Sequence, residues 1–498
     1  MIRLQSTASL AVCALAACLA GCSSMGSSSM TNANAQSAPV FLTGSDAPLP
    51  SVVSFQVTVN SVALSNGGNS GVDLLTGPQT IDFARFDGLQ TLLDFNSVPA
   101  GTYNTVTVSL SNPVISYLNM TAGSSTPPTI ATVPNAALTN STVTVQLPSA
   151  FTVTAGAAVG LKMDLDLRQS LLTGANGQLT GQVNPSIRFT ALTPNTPSAQ
   201  IDDFYATVIS VDAAANTFMI AGPHGRQYTV ALNQANTGSG MTPTEWDDQG
   251  DEAGNSQGGE NGQINLGNLV ANQTIVDLSG QFQPNTQTFD ATDVAIVSQH
   301  GFYAGGALTY ASPASGAASA FQFYVRSLLP TGAGLQAGQI ANVNLTGNEK
   351  YYVFRHHSPL LQFLFNSSLL TPGQHISIGG PESGAQNPSS VTTSRVVLHL
   401  SGITGTIVAG SVNQSGDSFL LNPDGVAGYL LSDANPSGNP IRVFVTNETE
   451  FRDGFTELSD LASVGSSVVR IVGLVLKNPV TGHPILIGRY VDNMASAN

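Results

Sequence analysis

Alternation of apolar and polar positions with a period of two dominates the chain. Phe55-Gln56-Val57-Thr58-Val59, Val106-Thr107-Val108-Ser109-Leu110 and Val143-Thr144-Val145-Gln146-Leu147 follow it. So does Leu161-Lys162-Met163-Asp164-Leu165-Asp166-Leu167. Successive side chains of a strand point to opposite faces, so the pattern predicts half-buried strands with one wet face. The wet positions carry Thr, Ser, Gln and Asn rather than Lys and Glu. Long stretches with helical periodicity are scarce, and 50 glycines in 498 residues suit many turns. The fold class expected is all-β, an N-terminal β-sandwich followed by tandem small β-barrel-like domains.

The tandem part shows as an internal repeat. A strand at Ala206-Thr207-Val208 recurs at Gly306-Ala307-Leu308 and Gly405-Thr406-Ile407, in steps of 100 and 99 residues. An aromatic second strand follows each, at Phe218, Phe321 and Phe419. Late in each copy come 272–280, 373–380 and 465–473. Gly373 and Gly465 stand three residues before an apolar strand, and Asn272 holds that place in the first copy. Asn, like Gly, tolerates positive φ. A period near 100 exceeds the roughly 20–50 residues of a solenoid and means tandem domains. The expected divisions are a sandwich over 51–192, a linker over 193–200, and repeats over 201–298, 302–400 and 401–495. Helical turns are expected at 359–370 and 457–462. An acidic insertion over 235–263 sets the first copy apart.

The N-terminus carries a targeting pattern. Arg3 is the only charge before Asp46, and an apolar run follows from Ala8 to Ala20, broken only by Ser9. This run is too short for the ~20 residues of a membrane-spanning helix. It ends in Leu19-Ala20-Gly21-Cys22, which resembles the lipobox of bacterial lipoproteins. The resemblance implies a signal peptide over 1–21, a diacylglycerol on the Cys22 thiol and an acyl chain on its amino group. An ordinary secretory signal with a chance cysteine, or an uncleaved anchor, is the alternative. Cys13 and Cys18 would leave with the signal, so no disulfide is expected. Residues 22–50 read as the lipidated cysteine and a flexible tether, rich in Ser, Asn and Met. Ser23, where inner-membrane lipoproteins commonly carry Asp, favours the outer membrane by the same resemblance, facing the periplasm or the surface.

Two further resemblances cover the rest. Val98-Pro99-Ala100-Gly101-Thr102-Tyr103, followed by a Val-rich strand, then Asp164-Leu165-Asp166 and Asn184-Pro185-Ser186-Ile187, resembles the lipoprotein family called domain of unknown function 4382. It implies an Ig-like or prealbumin-like sandwich of roughly 140 residues, with Tyr103 a core or corner aromatic, and no activity. The repeats resemble domain of unknown function 5666, the third copy best, with Thr449-Glu450-Phe451 ahead of its helical turn. The second copy lacks a clear Thr-x-Phe.

Composition narrows function more than it names it. Charged residues make only 9% of the chain, with 15 Lys+Arg against 30 Asp+Glu and a net charge of −15. No basic cluster stands ready to displace counterions, which argues against nucleic-acid binding. The insertion gathers Glu245, Asp247, Asp248, Asp251, Glu252 and Glu260. Asp247, Asp248, Asp251 and Glu252 are candidate Ca²⁺ ligands, since that ion takes six to eight oxygens. The EF-hand spacing is absent, and a solvated loop is the plainer reading. Trp246 in that segment either stacks on a sugar or packs the loop down. Asp164 and Asp166 share a strand face, where a carboxylate pair serves acid–base chemistry or simply meets water. His300, His356, His357, His375 and His399 fall in the second copy without metal-ligand spacing. Nucleophile-elbow, Ser-x-x-Lys, His-Glu-x-x-His and Walker A signatures are missing. The expectation is therefore a lipid-anchored, non-enzymatic binding or structural module whose partner is an envelope polysaccharide or protein, with no resident cofactor. The rival is an envelope glycan hydrolase with an unfamiliar carboxylate site. A Cys22→Ser chain should lose metabolic lipid labelling and leave the membrane fraction. Membrane retention without label would defeat the lipoprotein reading.

Overall fold

The computed structural model describes residues 37–49, 52–67, 71–119, 127, 129–133, 135–174, 179–222, 225–233, 243–248, 265–298, 301–313, 316–329, 334–353, 365–381, 391–423, 440–465 and 467–494. The architecture is all-β, a sandwich followed by three small barrels. Residues 1–36, with Cys22 and the signal pattern, lie outside the described residues.

One sheet of the sandwich runs Ile187–Leu192, Val159–Asp166, Ser37–Ala47, Thr91–Pro99. The other is built on two long strands, Val52–Ser65 and Gly101–Asn119, flanked by Gln79–Asp82 and Thr142–Val153. The inward residues of the alternating segments, such as Val57, Val59, Val106 and Val108, form the core with Leu161 and Leu165. Tyr103 is buried in that core, and its hydroxyl donates to the Pro99 carbonyl at 2.8 Å, pinning the Pro-Ala-Gly turn beneath it.

The tether expected over 22–50 does not extend to residue 50. Ser37–Ala47 is an interior strand, parallel to Val159–Asp166 and antiparallel to Thr91–Pro99. Both of its faces are buried. Val40 and Leu42 enter the sandwich core, while Phe41 enters the core of the first repeat. Burial on two faces removes the alternation that marks a half-buried strand.

The three repeats share one topology. In the third, Ile441–Phe444, Ser418–Pro423, Ser401–Ile407, Val468–Lys477, Pro484–Asn493 and Glu450–Arg452 lie side by side in that order. Ile441–Phe444 then pairs in parallel with Pro484–Asn493 and closes the barrel. The first repeat repeats this order and closes through Gln227–Leu232 on Thr288–Ser298. The second has the same order, with a parallel bridge from Val343 to Val391 in the closing position. Asn272, Gly373 and Gly465 all adopt positive φ, at 60°, 95° and 59°, in the turn before the fifth strand. Gly306 and Gly405 exist for close approach: a Cβ there would sit 1.8 Å from the Tyr324 carbonyl oxygen or 2.2 Å from that of Asn422. The helical turns are short 3-10 turns, Ser367–Leu369 and Leu458–Ala462, and a third stands at Leu266–Asn268. Residues 359–364 of the first expected turn lie outside the described residues.

The domains share cores. Phe41, Leu92 and Phe95 of the sandwich pack with Phe204, Tyr228, Phe282 and Phe289 of the first repeat. Val472, Leu474 and Leu476 of the third repeat lie in the core of the second. Val53 and Leu118 of the sandwich meet Tyr324 of the second repeat. Phe41→Ala should therefore cost about 3–5 kcal/mol in denaturant unfolding. A tether residue would cost nothing.

Candidate functional site

Several of this chain's few charges lie where domains meet. Arg226 of the first repeat pairs with Asp94 of the sandwich, and its guanidinium lies 3.9 Å above the Phe95 ring. Arg326 of the second repeat pairs with Asp87 and donates to the Val53 carbonyl at 3.1 Å. Arg85 reaches Asp203 at 3.8 Å. Arg188 bonds Asp164 at 3.0 Å and the Met494 carbonyl at 3.2 Å. Lys477 donates to the Gly316 carbonyl at 3.1 Å. Read singly in sequence, these residues give no patch; the fold brings them together.

Arg470 is the centre of this arrangement. It interrupts the apolar run 468–476 of the strand Val468–Lys477, and its side chain is only 4% exposed. Its Nε donates to Asp492 Oδ2 at 2.8 Å, its Nη1 donates to the Asp46 carbonyl at 2.8 Å, and Asp164 Oδ2 lies 3.5 Å away. Burial opposes the Arg470 charge, yet Asp492 and Asp164 outweigh it and raise the pKa. Burial likewise pushes the Asp164 carboxyl up, but Arg470 and Arg188 prevail and hold it below its ordinary value. Asp46 has no such balance: burial, then Asp87, raises it well above the usual carboxylate range.

Arg470 and Asp492 form the floor of a cleft of about 570 Å³ between the sandwich, the first repeat and the third. The sandwich contributes Ser45, Gly88, Gln90 and Lys162. The segment entering the first repeat contributes Pro197, Ser198, Gln200 and Asp202. The third repeat adds Glu450, Phe451, Arg452 and Asp453. Each wall is fixed. Asp202 accepts from the Gln90 amide at 3.1 Å and donates its own amide to the Gln90 carbonyl at 2.8 Å. Glu450 holds Arg452 and Arg489, each at 2.9 Å, and Arg452 lies 3.5 Å above the Tyr490 ring. Asp492 Oδ1 is buried and accepts no hydrogen bond from the described residues. The volume falls within the roughly 300–1,000 Å³ of small-ligand sites.

A second polar cluster lies behind the first. Asp202, Asp203, Asp277, Tyr205, His375 and His399 line a small cavity of about 10 Å³. Burial and the neighbouring Asp203 raise the Asp277 carboxyl well above its ordinary value, and a side-chain hydrogen bond joins the two. Tyr205 and Tyr303 bond each other at 3.0 Å. His375 and His399 stack with ring centroids 4.9 Å apart, and His399 bonds Ser377 at 2.7 Å. Burial and the guanidinium of Arg326 drive His375 down to about 3, so its ring is neutral. This space has room for about one water and not for a ligand.

The residues singled out in sequence fall differently. Asp164 and Asp166, expected on a wet face, are 5% and 1% exposed, because the sheet that carries them is covered on both sides. Asp166 caps the turn Leu167–Ser170, accepting from the Gln169 amide at 3.0 Å. His375 and His399 meet, whereas His300, His356 and His357 lie outside the described residues. Glu245–Asp248, expected in a loop, is a strand paired in parallel with Thr288–Ser298, so Asp247 and Asp248 belong to the sheet. Asp251, Glu252 and Glu260 lie outside the described residues. Among the described residues no three His, Cys, Asp or Glu groups are arranged to hold a metal ion. Trp246 packs against the first repeat's core. It corresponds to Tyr351 and Phe451, each the second residue of its strand and each opposite a valine. Thr244-Glu245-Trp246 thus repeats Thr449-Glu450-Phe451, and both threonines bond a carbonyl of the neighbouring strand, at 2.6 and 2.7 Å. That match was present in the sequence. A lone Arg in the apolar run 468–476 was the one sequence signal for the cleft.

Residues 37–180 match the protein family described as Domain of unknown function (DUF4382). The match begins at the buried strand Ser37–Ala47 and so covers most of the sandwich. No curated protein matches the chain.

The Asp203–Asp277 pair gives a pH test. A carboxyl raised by burial stabilises the fold below its unfolded value near 3.8, and that stability is lost as pH climbs through the folded value. Asparagine imitates the protonated form, so Asp277→Asn should be more stable than wild type at pH 7. The two denaturation midpoints should converge as pH falls toward 4. A difference that stays constant with pH would refute the shared proton.

Proposed function

We propose that the chain is a lipid-anchored bacterial envelope lipoprotein whose β-domains act together as a non-enzymatic binding module. The reading draws its location from the pattern ending in Leu19-Ala20-Gly21-Cys22, with the lipid on Cys22 as anchor. Ser23 after that cysteine favours the outer membrane. The repeats are read as members of the family called domain of unknown function 5666.

One observation carries the binding role: the cleft walled by the sandwich and the first and third repeats. Four of its charged side chains are tied in ion pairs, Arg470 to Asp492 and Glu450 to Arg452, with Arg489 behind Glu450. Carboxylates held by guanidinium groups are suited to holding a ligand in place. A general acid instead needs an environment that raises its pKa. The cleft is also large enough for a small polar molecule or the end of a longer chain.

A ligand that binds only the folded state raises its unfolding temperature. The full-length chain should unfold at higher temperature with a small-molecule fraction of envelope extract, and Lys162→Met at the cleft wall should lose that rise. Reducing-end content of purified envelope glycans should stay unchanged on incubation with the chain. Release of reducing ends that Asp202→Asn abolishes would replace this reading with the hydrolase.

A further inference from the structure

The lining of the cleft points to the class of its ligand, an inference that depends on the binding role proposed above. Four acids face it, Asp202, Glu450, Asp453 and Asp492, against three cations, Lys162, Arg452 and Arg470. The two signs nearly cancel. Both guanidinium groups are already engaged by carboxylates, Arg470 by Asp492 and Arg452 by Glu450. Lys162 alone is left among the cations, and one ammonium beside four carboxylates is not the unengaged arginine or lysine cluster that a phosphate or a uronate recruits. A cationic ligand would meet Arg470 and Lys162 in the same space. The ligand that suits this lining is uncharged.

It is also rich in hydroxyl groups. Ser45, Gln90, Ser198 and Gln200 add neutral groups that both donate and accept. Asp492 supplies a buried carboxylate oxygen, Oδ1, that accepts no hydrogen bond from the described residues. Such an oxygen calls for a donor, and a hydroxyl bonded to a charged acceptor contributes more than one bonded to a neutral group. Half-buried Phe451 and exposed Pro197 add apolar surface to the lining. Hydroxyl groups around an edge and an apolar C–H face are the two chemical features of a pyranose ring. We propose that the cleft binds a neutral saccharide, one or two rings in size, with Asp492 Oδ1 accepting from a ring hydroxyl and Phe451 against the apolar face. A cleft of about 570 Å³ has room for that size.

Saturation-transfer NMR on the full-length chain in detergent tests this with three separate panels. They are neutral mono- and disaccharides, uronic acids and sugar phosphates, and free amino acids with dipeptides. The expected result is transfer to neutral sugars, strongest at ring C–H protons. Asp492→Asn should weaken the best sugar by about tenfold or more. That substitution also removes the partner of Arg470 and can loosen the fold, so Phe451→Ala and Lys162→Met are measured beside it. Loss in these variants, with near-wild-type unfolding temperatures, supports the site. Undiminished sugar binding in all three variants overturns it. Binding of only charged sugars or amino acids, lost in the same variants, overturns the neutral-saccharide assignment and leaves the binding role standing. Binding of nothing in any panel, together with no thermal response to envelope extract, removes both.

Discussion

Arg470 is the constraint on which the assembled molecule depends. Its guanidinium keeps its charge at any pH a protein meets, so burying it demands partners. Those partners come from three distant places in the chain: the Asp46 carbonyl, Asp164 and Asp492. The first two belong to the sandwich and the third to the last repeat. A buried ion pair returns little net stability compared with apolar packing, but breaking one costs about 3–5 kcal/mol. What it contributes is uniqueness. Only one placement of the third repeat against the sandwich satisfies all three partners, and any slip leaves a charge unpaired in the interior. Arg226 and Arg326 impose the same condition at other junctions, and Arg188 adds to this one. A chain with 9% charged residues has few such groups, and it places several of them where domain position is decided.

Apolar packing then makes the placement stable. The strand Val468–Lys477 is buried on both faces, with Val469, Ile471 and Val475 in its own barrel and Val472, Leu474 and Leu476 in the core of the second repeat. Ser37–Ala47 does the same between the sandwich and the first repeat. Domains that share strands' outer faces lose the freedom of beads on a string, because separating them would expose a row of large apolar side chains to water. Gly402 shows how close the approach is: a Cβ there would lie 2.2 Å from the Asp87 carbonyl oxygen across the junction.

What the sequence made legible was whatever local geometry controls. Alternation located the strands of the open sandwich sheet, and Asn272, Gly373 and Gly465 marked three equivalent turns that all proved to need positive φ. The Pro-Ala-Gly-Thr-Tyr element announced a pinned corner, and Tyr103 supplies it. What stayed hidden was whatever a second layer decides. Ser37–Ala47 reads as tether because burial on two faces leaves no alternation, and Pro39 and Gly44 look like loop residues. Asp164 and Asp166 read as wet because the alternation around them is intact, yet Arg470 of the third repeat reaches Asp164 and the turn Leu167–Ser170 engages Asp166. Thr244-Glu245-Trp246 was masked by its acidic neighbours, which suggested a loop rather than a regular strand. None of the cleft's residues is near another domain's contribution in sequence, so no window along the chain contains the site.

This origin has a consequence for how the cleft works. Its walls come from three domains, so it exists only when all three hold their places. Arg470 and Asp492 serve the junction and line the cleft at once. A ligand that bonds Asp492 therefore acts on the group that positions Arg470, and through it on Asp46 and Asp164. By linkage, whatever binds the assembled form stabilises the assembly, and whatever loosens the junction weakens binding by the same free energy. A ligand in this cleft would make binding and domain packing one equilibrium read at two places, with Arg470 and Asp492 common to both.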